Sequence, residues 1–367
     1  MIPINLPLIG EEEIKAVVKV MRSGPLTNAL GEGPMVTQFE RKFGEFAGVK
    51  HAVAMNTGTA ALHSAVVAAG VKQGDEVILP SFTFVATAEA VVMANGKPVF
   101  TDIDPETCTI SPDEIKKNVT KKTRAIMPVD LYGLSVDSKP ISEIAAKHDL
   151  IVVEDAAQAH GATYAGKPAG VFADVACWSL YASKNITTGE GGVATTDNAE
   201  IAETLRLIRT HGEKAKYASM MLGCNYRMSE IQAAIGLVQL GKLPTYVAKR
   251  RENANRLSKL LEVSDRLKLP AESEERQHSW YLYTVRLINA SATERNILVK
   301  ELQKRGIGAA VYYINPVHQM PYYRETFGER RLPDTEKAAG QVFSLPVHPG
   351  VTEAQVDYIG KTLLDLL

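Results

Sequence analysis

The sequence predicts an α/β protein whose main sheet is mostly parallel and covered by helices on both faces. Two observations predict it. Between about residues 50 and 200, short apolar runs alternate with helix-like stretches. The runs are apolar without alternation, as in Leu150-Ile-Val-Val153, the pattern of a strand buried on both sides. Strand–helix alternation of this kind argues for a doubly covered parallel sheet.

In chain order the expected strands are Val77–Pro80, Pro98–Asp102, Arg124–Pro128, Ile151–Glu154, Val175–Ser179 and Gly192–Thr195. Asn56-Thr-Gly-Thr-Ala-Ala-Leu62 opens an apolar helix, Ala60–Ala69. Ser111-Pro112-Asp113-Glu114 reads as an N-cap, a proline at the first helical position and a capping-box glutamate. Ser138–Asp149 has helical periodicity. Two helical segments follow, Ser229–Leu243 with Ser229 and Gln232 in capping-box pattern, and Pro244–Leu261, rich in Lys, Arg and Glu. The polar stretch Leu269–Gln277 crosses into a smaller C-terminal α+β domain. There the expected elements are a strand over Tyr281–Leu287, a helix over Ala292–Arg305, a strand over Ala309–Tyr313 and a last helix, Thr352–Leu367, capped by Thr352 and Gln355. The chain divides into 1–245, an N-terminal segment with the large domain, and 246–367, a connecting helix with the small one.

Composition narrows the function. A formal net charge of -1 offers no bulk attraction for nucleic acid or an anionic membrane. No apolar run approaches the ~20 residues that span a bilayer. The opening MIPINLPLIGEEEIKAVV lacks a basic region and turns acidic at once, which argues against a signal peptide. Cys108, Cys177 and Cys224 lie far apart with no CxxC pair, so neither a disulfide framework nor a zinc site is expected, and a reducing, cytoplasmic location fits. No metal is expected.

Three stretches carry chemistry. Val152-Val-Glu-Asp-Ala-Ala-Gln158 ends an apolar strand in Glu154-Asp155, and ligands of open α/β sheets bind at the carboxyl ends of strands. An acid there also suits the cap of the next helix. Val175-Ala-Cys-Trp-Ser-Leu-Tyr-Ala-Ser-Lys-Asn185 puts Lys184 behind a buried strand and ahead of Thr188-Gly-Glu-Gly-Gly192. Desolvation would suit such a lysine to Schiff-base chemistry; the plainer reading is a surface lysine in a loop. Asn56–Leu62 offers free N–H groups and a favourable dipole at a helix start, a phosphate site without the GKS/GKT tail of a Walker loop. Ordinary capping by Thr57 or Thr59 is the alternative. Together these are the parts a pyridoxal-phosphate (PLP) enzyme needs: a lysine to carry the cofactor, an acid to keep the pyridine nitrogen protonated, and a phosphate cradle.

The same stretches resemble the DegT/DnrJ/EryC1/StrS aminotransferases. The resemblance rests on Glu154-Asp-Ala-Ala-Gln-Ala-His-Gly161, Ser179-x4-Lys184-Asn185, Gly189-Glu-Gly-Gly192 and Gly223-x-Asn225-Tyr-Arg227. Pro80-Ser-Phe-Thr-Phe-Val-Ala-Thr87 and Ser23-Gly-Pro-Leu-Thr27 add to it, and it runs over essentially the whole chain. It implies a fold-type-I PLP-dependent transferase with a seven-stranded type of sheet, acting as a homodimer with shared active sites. By resemblance, Lys184 carries the cofactor, Asp155 partners the pyridine nitrogen, Gln158 lies near the ring hydroxyl and Phe84 stacks on the ring. Gly58, Thr59, Ala60 and Ser179 match the phosphate cradle, and Asn225 matches a residue that reaches the neighbouring subunit's cofactor phosphate. His160, Tyr312, His318 and Tyr323 are candidate substrate contacts. The longer Asn28-Ala-Leu-Gly-Glu-Gly33 segment departs from the family pattern.

The implied reaction is ping-pong transamination of a nucleotide-linked 3-keto or 4-keto hexose, with glutamate as donor and Lys184 moving the proton. The rivals are a cyclitol-ketone aminotransferase, a PLP- or PMP-dependent sugar dehydratase, and a regulatory protein that has kept the fold. Dehydratase relatives replace the lysine with histidine, and here Lys184 is present.

Overall fold

The computed structural model describes residues 1–367. Helices α1 (Glu11–Ser23) and α2 (Pro34–Ala47) lead into strand β1 (His51–Met55) and helix α3 (Gly58–Ala68). Strands β2 (Glu76–Pro80), β3 (Lys97–Thr101), β4 (Thr123–Ile126), β5 (Ile151–Asp155), β6 (Val175–Ser179) and β7 (Gly192–Thr196) follow. With β1 they form one seven-stranded sheet in the order β1-β7-β6-β5-β4-β2-β3. Only β7 runs against its neighbours, pairing antiparallel with β1 and β6. The six strands expected in this sheet are all present, with ends shifted by a residue or two. The sequence reading lacks β1. His51-Ala-Val-Ala-Met55 holds one β-branched residue among alanines, so its strand character comes from pairing with β7 and not from propensity.

Core residues sit on both faces of this sheet, as its non-alternating runs require. Val53, Val153, Cys177 and Ala194 join one cluster with α3, while Ala54, Ala176, Trp178 and Val193 join another with α2. The second lobe has its own core, with Leu257, Leu261, Tyr283, Val285, Phe343 and Ile359 all essentially without exposure. Its three-stranded sheet runs β8 (Leu267–Lys268), β9 (Tyr283–Leu287) and β10 (Val342–Leu345) in the order β8-β9-β10. Ile2, grouped above with the large domain, packs against this second core and bridges Ile307.

Four expectations need correction. Residues 229–261 form one 32-residue helix, Glu230–Leu261, with Pro244 inside it. The proline removes one backbone N–H, but the helix is held along its length: its first half packs against α1 and α2, its second half against the second core. Ser111 is an N-cap by position only, because its side chain makes no capping bond and Glu114 pairs with Lys117 at 2.7 Å instead. Ala309–Tyr313 is not a strand. Ala310 exchanges two backbone hydrogen bonds with Ser344, and the chain then leaves the sheet. The strand expected at Tyr281 begins two residues later. The capping boxes at Ser229/Gln232 and Thr352/Gln355 are both formed.

Candidate active site

The carboxyl ends of β5 and β6 open into a cavity of about 480 Å³ lined by Gly58, Thr59, Phe84, Asp155, Gln158, Ser179, Lys184 and Tyr312, all singled out in the sequence. Thr83, from within the Pro80–Thr87 motif, and Tyr281 and Tyr313, which had no role assigned, are also in its walls.

Asp155 ends β5 and is 5% exposed. Burial raises its carboxyl above the ordinary range, and three neighbours oppose that. Thr87 Oγ1 donates to Oδ2 at 2.8 Å, the Ala157 N–H donates to Oδ1 at 3.2 Å, and the Lys184 charge acts through space. Thr87 is itself bonded to Thr83 at 2.8 Å. Two donors on a buried carboxylate favour its charged form and fix its plane. Gln158 is held at both ends of its amide: Oε1 accepts the Tyr132 N–H at 2.7 Å, and Nε2 donates to Tyr313 Oη at 3.2 Å.

Lys184 follows β6 in a turn closed by its own N–H to the Tyr181 carbonyl at 2.9 Å. Its ammonium lies 4.5 Å from the centroid of the Tyr281 ring, so an aromatic face holds the amine. Phe84 is 55% exposed at the mouth of the cavity, and its ring centre is 6.1 Å from that of Tyr313.

The remaining wall is the start of α3. Thr57 Oγ1 accepts the Ala60 N–H at 3.0 Å, which caps the helix. The N–H groups of Gly58 and Thr59 find no acceptor in the chain. A Cβ at Gly58 would lie 2.9 Å from Ser179 Cβ, so only glycine lets this turn approach the end of β6. Two unpaired N–H groups at a helix start, with the hydroxyls of Thr59 and Ser179 beside them, suit a phosphate dianion. Ala60 belongs to the helix but spends its N–H on Thr57 and does not line the cavity.

Three candidate substrate contacts do not reach this space. His160 has no exposure and sits against Trp178 (ring centres 5.3 Å) and Phe43 (6.4 Å), and burial pushes its imidazole down to about 3. His318 is buried, with Nδ1 2.6 Å from Ser81 Oγ and Nε2 3.4 Å from Glu336. Tyr323 is 3% exposed and meets Phe100 edge-on at 5.7 Å. The turn Val317–Gln319 and the helix Pro321–Phe327 fold that segment back onto the large sheet's core, so of the aromatic loop only its start, Tyr312 and Tyr313, faces the cavity. Asn225 lies outside the cavity on the exposed side of the chain, where its carbonyl accepts from Asn56 Nδ2 at 3.3 Å.

Tyr281 carried no local sequence signal, because it opens what reads as an ordinary strand. Thr87 lies within a motif singled out above, but only the fold shows its hydroxyl turned to Asp155.

PLP requires an amine, an anion cradle and a carboxylate around one cavity. The chain meets all three on a doubly covered seven-stranded sheet, and its class is the PLP-dependent transferase of fold type I. Comparison with known proteins narrows this. The model of the DegT/DnrJ/EryC1/StrS aminotransferase family matches residues 7–364. GDP-perosamine synthase of Caulobacter vibrioides is 40% identical over 338 residues, 91% of each chain. Helicobacter pylori PseC, an aminotransferase involved in the biosynthesis of pseudoaminic acid, superposes with a TM-score of 0.93 at 30% identity, over 100% of this chain and 98% of that one. Spr1654 of Streptococcus pneumoniae, solved in its PLP form, gives 0.94 at 30% identity over 100% and 98%. The chain belongs to the DegT/DnrJ/EryC1/StrS aminotransferase family. No helix is long and apolar enough to cross a membrane.

Proposed function

We propose that this sugar aminotransferase moves an amino group from glutamate to a hexose that is linked to a nucleotide and bears a ketone at ring carbon 3 or 4. The observation that carries the reading is the meeting of the Lys184 amine and the Asp155 carboxylate in one cavity with the unpaired N–H groups of Gly58 and Thr59.

PLP, when bound, supplies the electron sink that makes the donor's α-proton removable. Gly58, Thr59 and Ser179 hold its phosphate. Asp155 would pair with the pyridine nitrogen, and Thr87 and the Ala157 N–H keep the carboxylate aligned for it. Gln158, braced by Tyr132 and Tyr313, would orient the ring's edge, and Phe84 would cover its face. Lys184 would anchor the cofactor through its amine and would hold and move the proton at its Nζ. The Tyr281 ring keeps that amine over the cavity.

Room for the nucleotide lies toward the cavity mouth, where Phe84 and Tyr181 are about half exposed. A homodimer with shared sites completes the reading. Tyr217, Met220 and Leu222 are 85%, 69% and 91% exposed on the stretch that leads to Asn225, an apolar surface for a second copy to cover. A nucleotide-linked acceptor is in keeping with the name of the GDP-perosamine synthase relative.

The test gives the PLP form glutamate and a panel of UDP-, dTDP- and GDP-linked 3-keto and 4-keto sugars, with amine detected by mass spectrometry. Plain UDP, dTDP and GDP are titrated in parallel by calorimetry. At least one nucleotide is expected to bind at roughly -5 kcal/mol or better. Turnover of an unlinked cyclitol ketone, with no nucleotide bound, would replace this substrate class.

A further inference from the structure

Strand β5 ends in two adjacent acids, and successive side chains of a strand point to opposite faces. Asp155 opens into the cavity. Glu154, 1% exposed, turns away from it, and its Oε1 accepts the Gly170 N–H at 2.8 Å. Opposite Glu154 is Asp130, wholly buried beyond the end of β4. Asp130 Oδ1 accepts the Val136 N–H at 2.9 Å. Its Oδ2 meets no donor of the chain, and the acid that bears on it most strongly is Glu154. Two ionised carboxylates have only acceptors to offer each other. A bond between them needs a proton in the middle.

No cation takes that proton's place. The charged groups that act on Asp130 are Glu154 itself, Asp155 beside it, and Arg276 from the second lobe's side. Arg276 spends its guanidinium on the Ser135 carbonyl at 2.7 Å and Thr109 Oγ1 at 3.2 Å. Burial raises both acids, and the Glu154 charge adds to it for Asp130. Like charges in contact in a dry site do not both ionise.

We propose that Asp130 and Glu154 share one proton, so that the three buried carboxyls behind the cavity carry one negative charge fewer than their number. Asp130 is then a positioning residue. Its O–H ties the loop after β4 to the end of β5, next to the backbone bond from the Asp130 N–H to the Asp155 carbonyl at 3.0 Å. It also leaves one charge instead of two at the back of Asp155, whose burial is then opposed by Thr87, Ala157 and Lys184 with less repulsion to overcome. This last consequence rests on the role proposed above for Asp155. The shared proton does not.

Infrared spectroscopy of the cofactor-free protein at neutral pH reads the proton directly, with ¹³C carboxyl label on aspartate in one sample and on glutamate in another. A carbonyl stretch of a protonated acid is expected, shifted by label, and lost in Asp130→Asn, whose amide takes over as donor to Glu154. A wild-type spectrum without such a band under either label overturns the proposal. The loaded protein gives a second reading. Absorbance titrations of the cofactor in wild type and Asp130→Asn are expected to coincide, because the pair carries a single charge in both. A displacement of roughly one pH unit or more means that Asp130 was ionised in the wild type and overturns it. Should Asp130→Asn fail to fold, Glu154→Gln, which leaves the same single charge, replaces it in both measurements. If Asp155→Asn leaves the cofactor's titration unmoved while the infrared band persists, the role of Asp155 fails and the shared proton stands.

Discussion

Lys184 Nζ and the Tyr281 ring face each other at 4.5 Å across the seam between the two lobes. The ring is not free to turn away. Its hydroxyl is 2.9 Å from Ser183 Oγ, and buried Arg250 donates to the Trp280 and Tyr281 carbonyls at 3.1 and 3.2 Å. A desolvated cation–π contact contributes about 1–2 kcal/mol. Tyr281→Leu is expected to lower kcat by roughly 5–30-fold, and Tyr281→Phe, which keeps the ring, by no more than about threefold. Steady-state kinetics check this; equal losses in the two variants would take the ring out of the explanation.

Thr87 lends Asp155 a charge-assisted hydrogen bond, and such bonds contribute about 1.5–3 kcal/mol. Thr87→Val should therefore cost roughly 10–100-fold in kcat/KM, while Thr87→Ser stays near wild type. The sign of the pH effect follows. Burial already raises the Asp155 carboxyl and Thr87 opposes it, so losing the hydroxyl raises it further. The acid limb of the rate profile moves toward neutral pH in Thr87→Val. An unmoved limb would mean that Thr87 does not act through Asp155.

Burial pushes His160 and His278 down to about 3. In the unfolded chain each takes a proton near pH 6.5, so acid favours unfolding. The stability they supply is complete above pH 6.5 and is lost as pH falls toward 3. Between pH 6.5 and pH 5 the loss is about 2 kcal/mol for each. His160→Phe suits the aromatic setting of Trp178 and Phe43 and leaves neither ring nitrogen without a partner. Thermal melts of the cofactor-free protein at pH 7 and pH 5 should show a smaller acid loss in this variant than in wild type. An equal loss would mean that His160 is protonated in the fold.

Lys184→Ala and Asn225→Ala chains are each expected to be inactive, the first through the missing amine and the second through the partner's site. Mixed and refolded together, they form heterodimers with one complete site. Recovery of about a quarter of wild-type turnover per chain is expected from random pairing of dimers. Heterodimers shown by mass spectrometry to form without regaining activity would place Asn225 outside any shared site.

How much of this was legible in the sequence depended on where each residue's placement is decided. Asp155, Ser179 and Lys184 sit at or just beyond strand ends, and strand ends can be read from apolar runs that stop at a polar residue. The sheet then brings them together without further instruction. Tyr281 and Tyr313 reach the same cavity from the second lobe, and their place depends on how two cores dock, which no local pattern encodes. The reverse failure is His318 and Tyr323: an aromatic-rich loop reads as a binding loop, but a single turn sends its second half into the core. β1 escaped for a simpler reason, since alanines take the conformation their neighbours impose.

The helix Glu230–Leu261 contributes buried side chains to both lobes: Ala233 and Leu243 in the first, Ala254, Leu257 and Leu261 in the second. Melting either half would leave a row of apolar groups in water and shorten the helix that the other half relies on. The two cores are thus thermodynamically linked, and heat should undo them in one cooperative step, with calorimetric and van't Hoff enthalpies in agreement. The same continuity limits how the lobes can move. A rod fixed in both bodies transmits rotation but resists folding like a hinge, so access for a bulky substrate has to come from the loops around the cavity mouth.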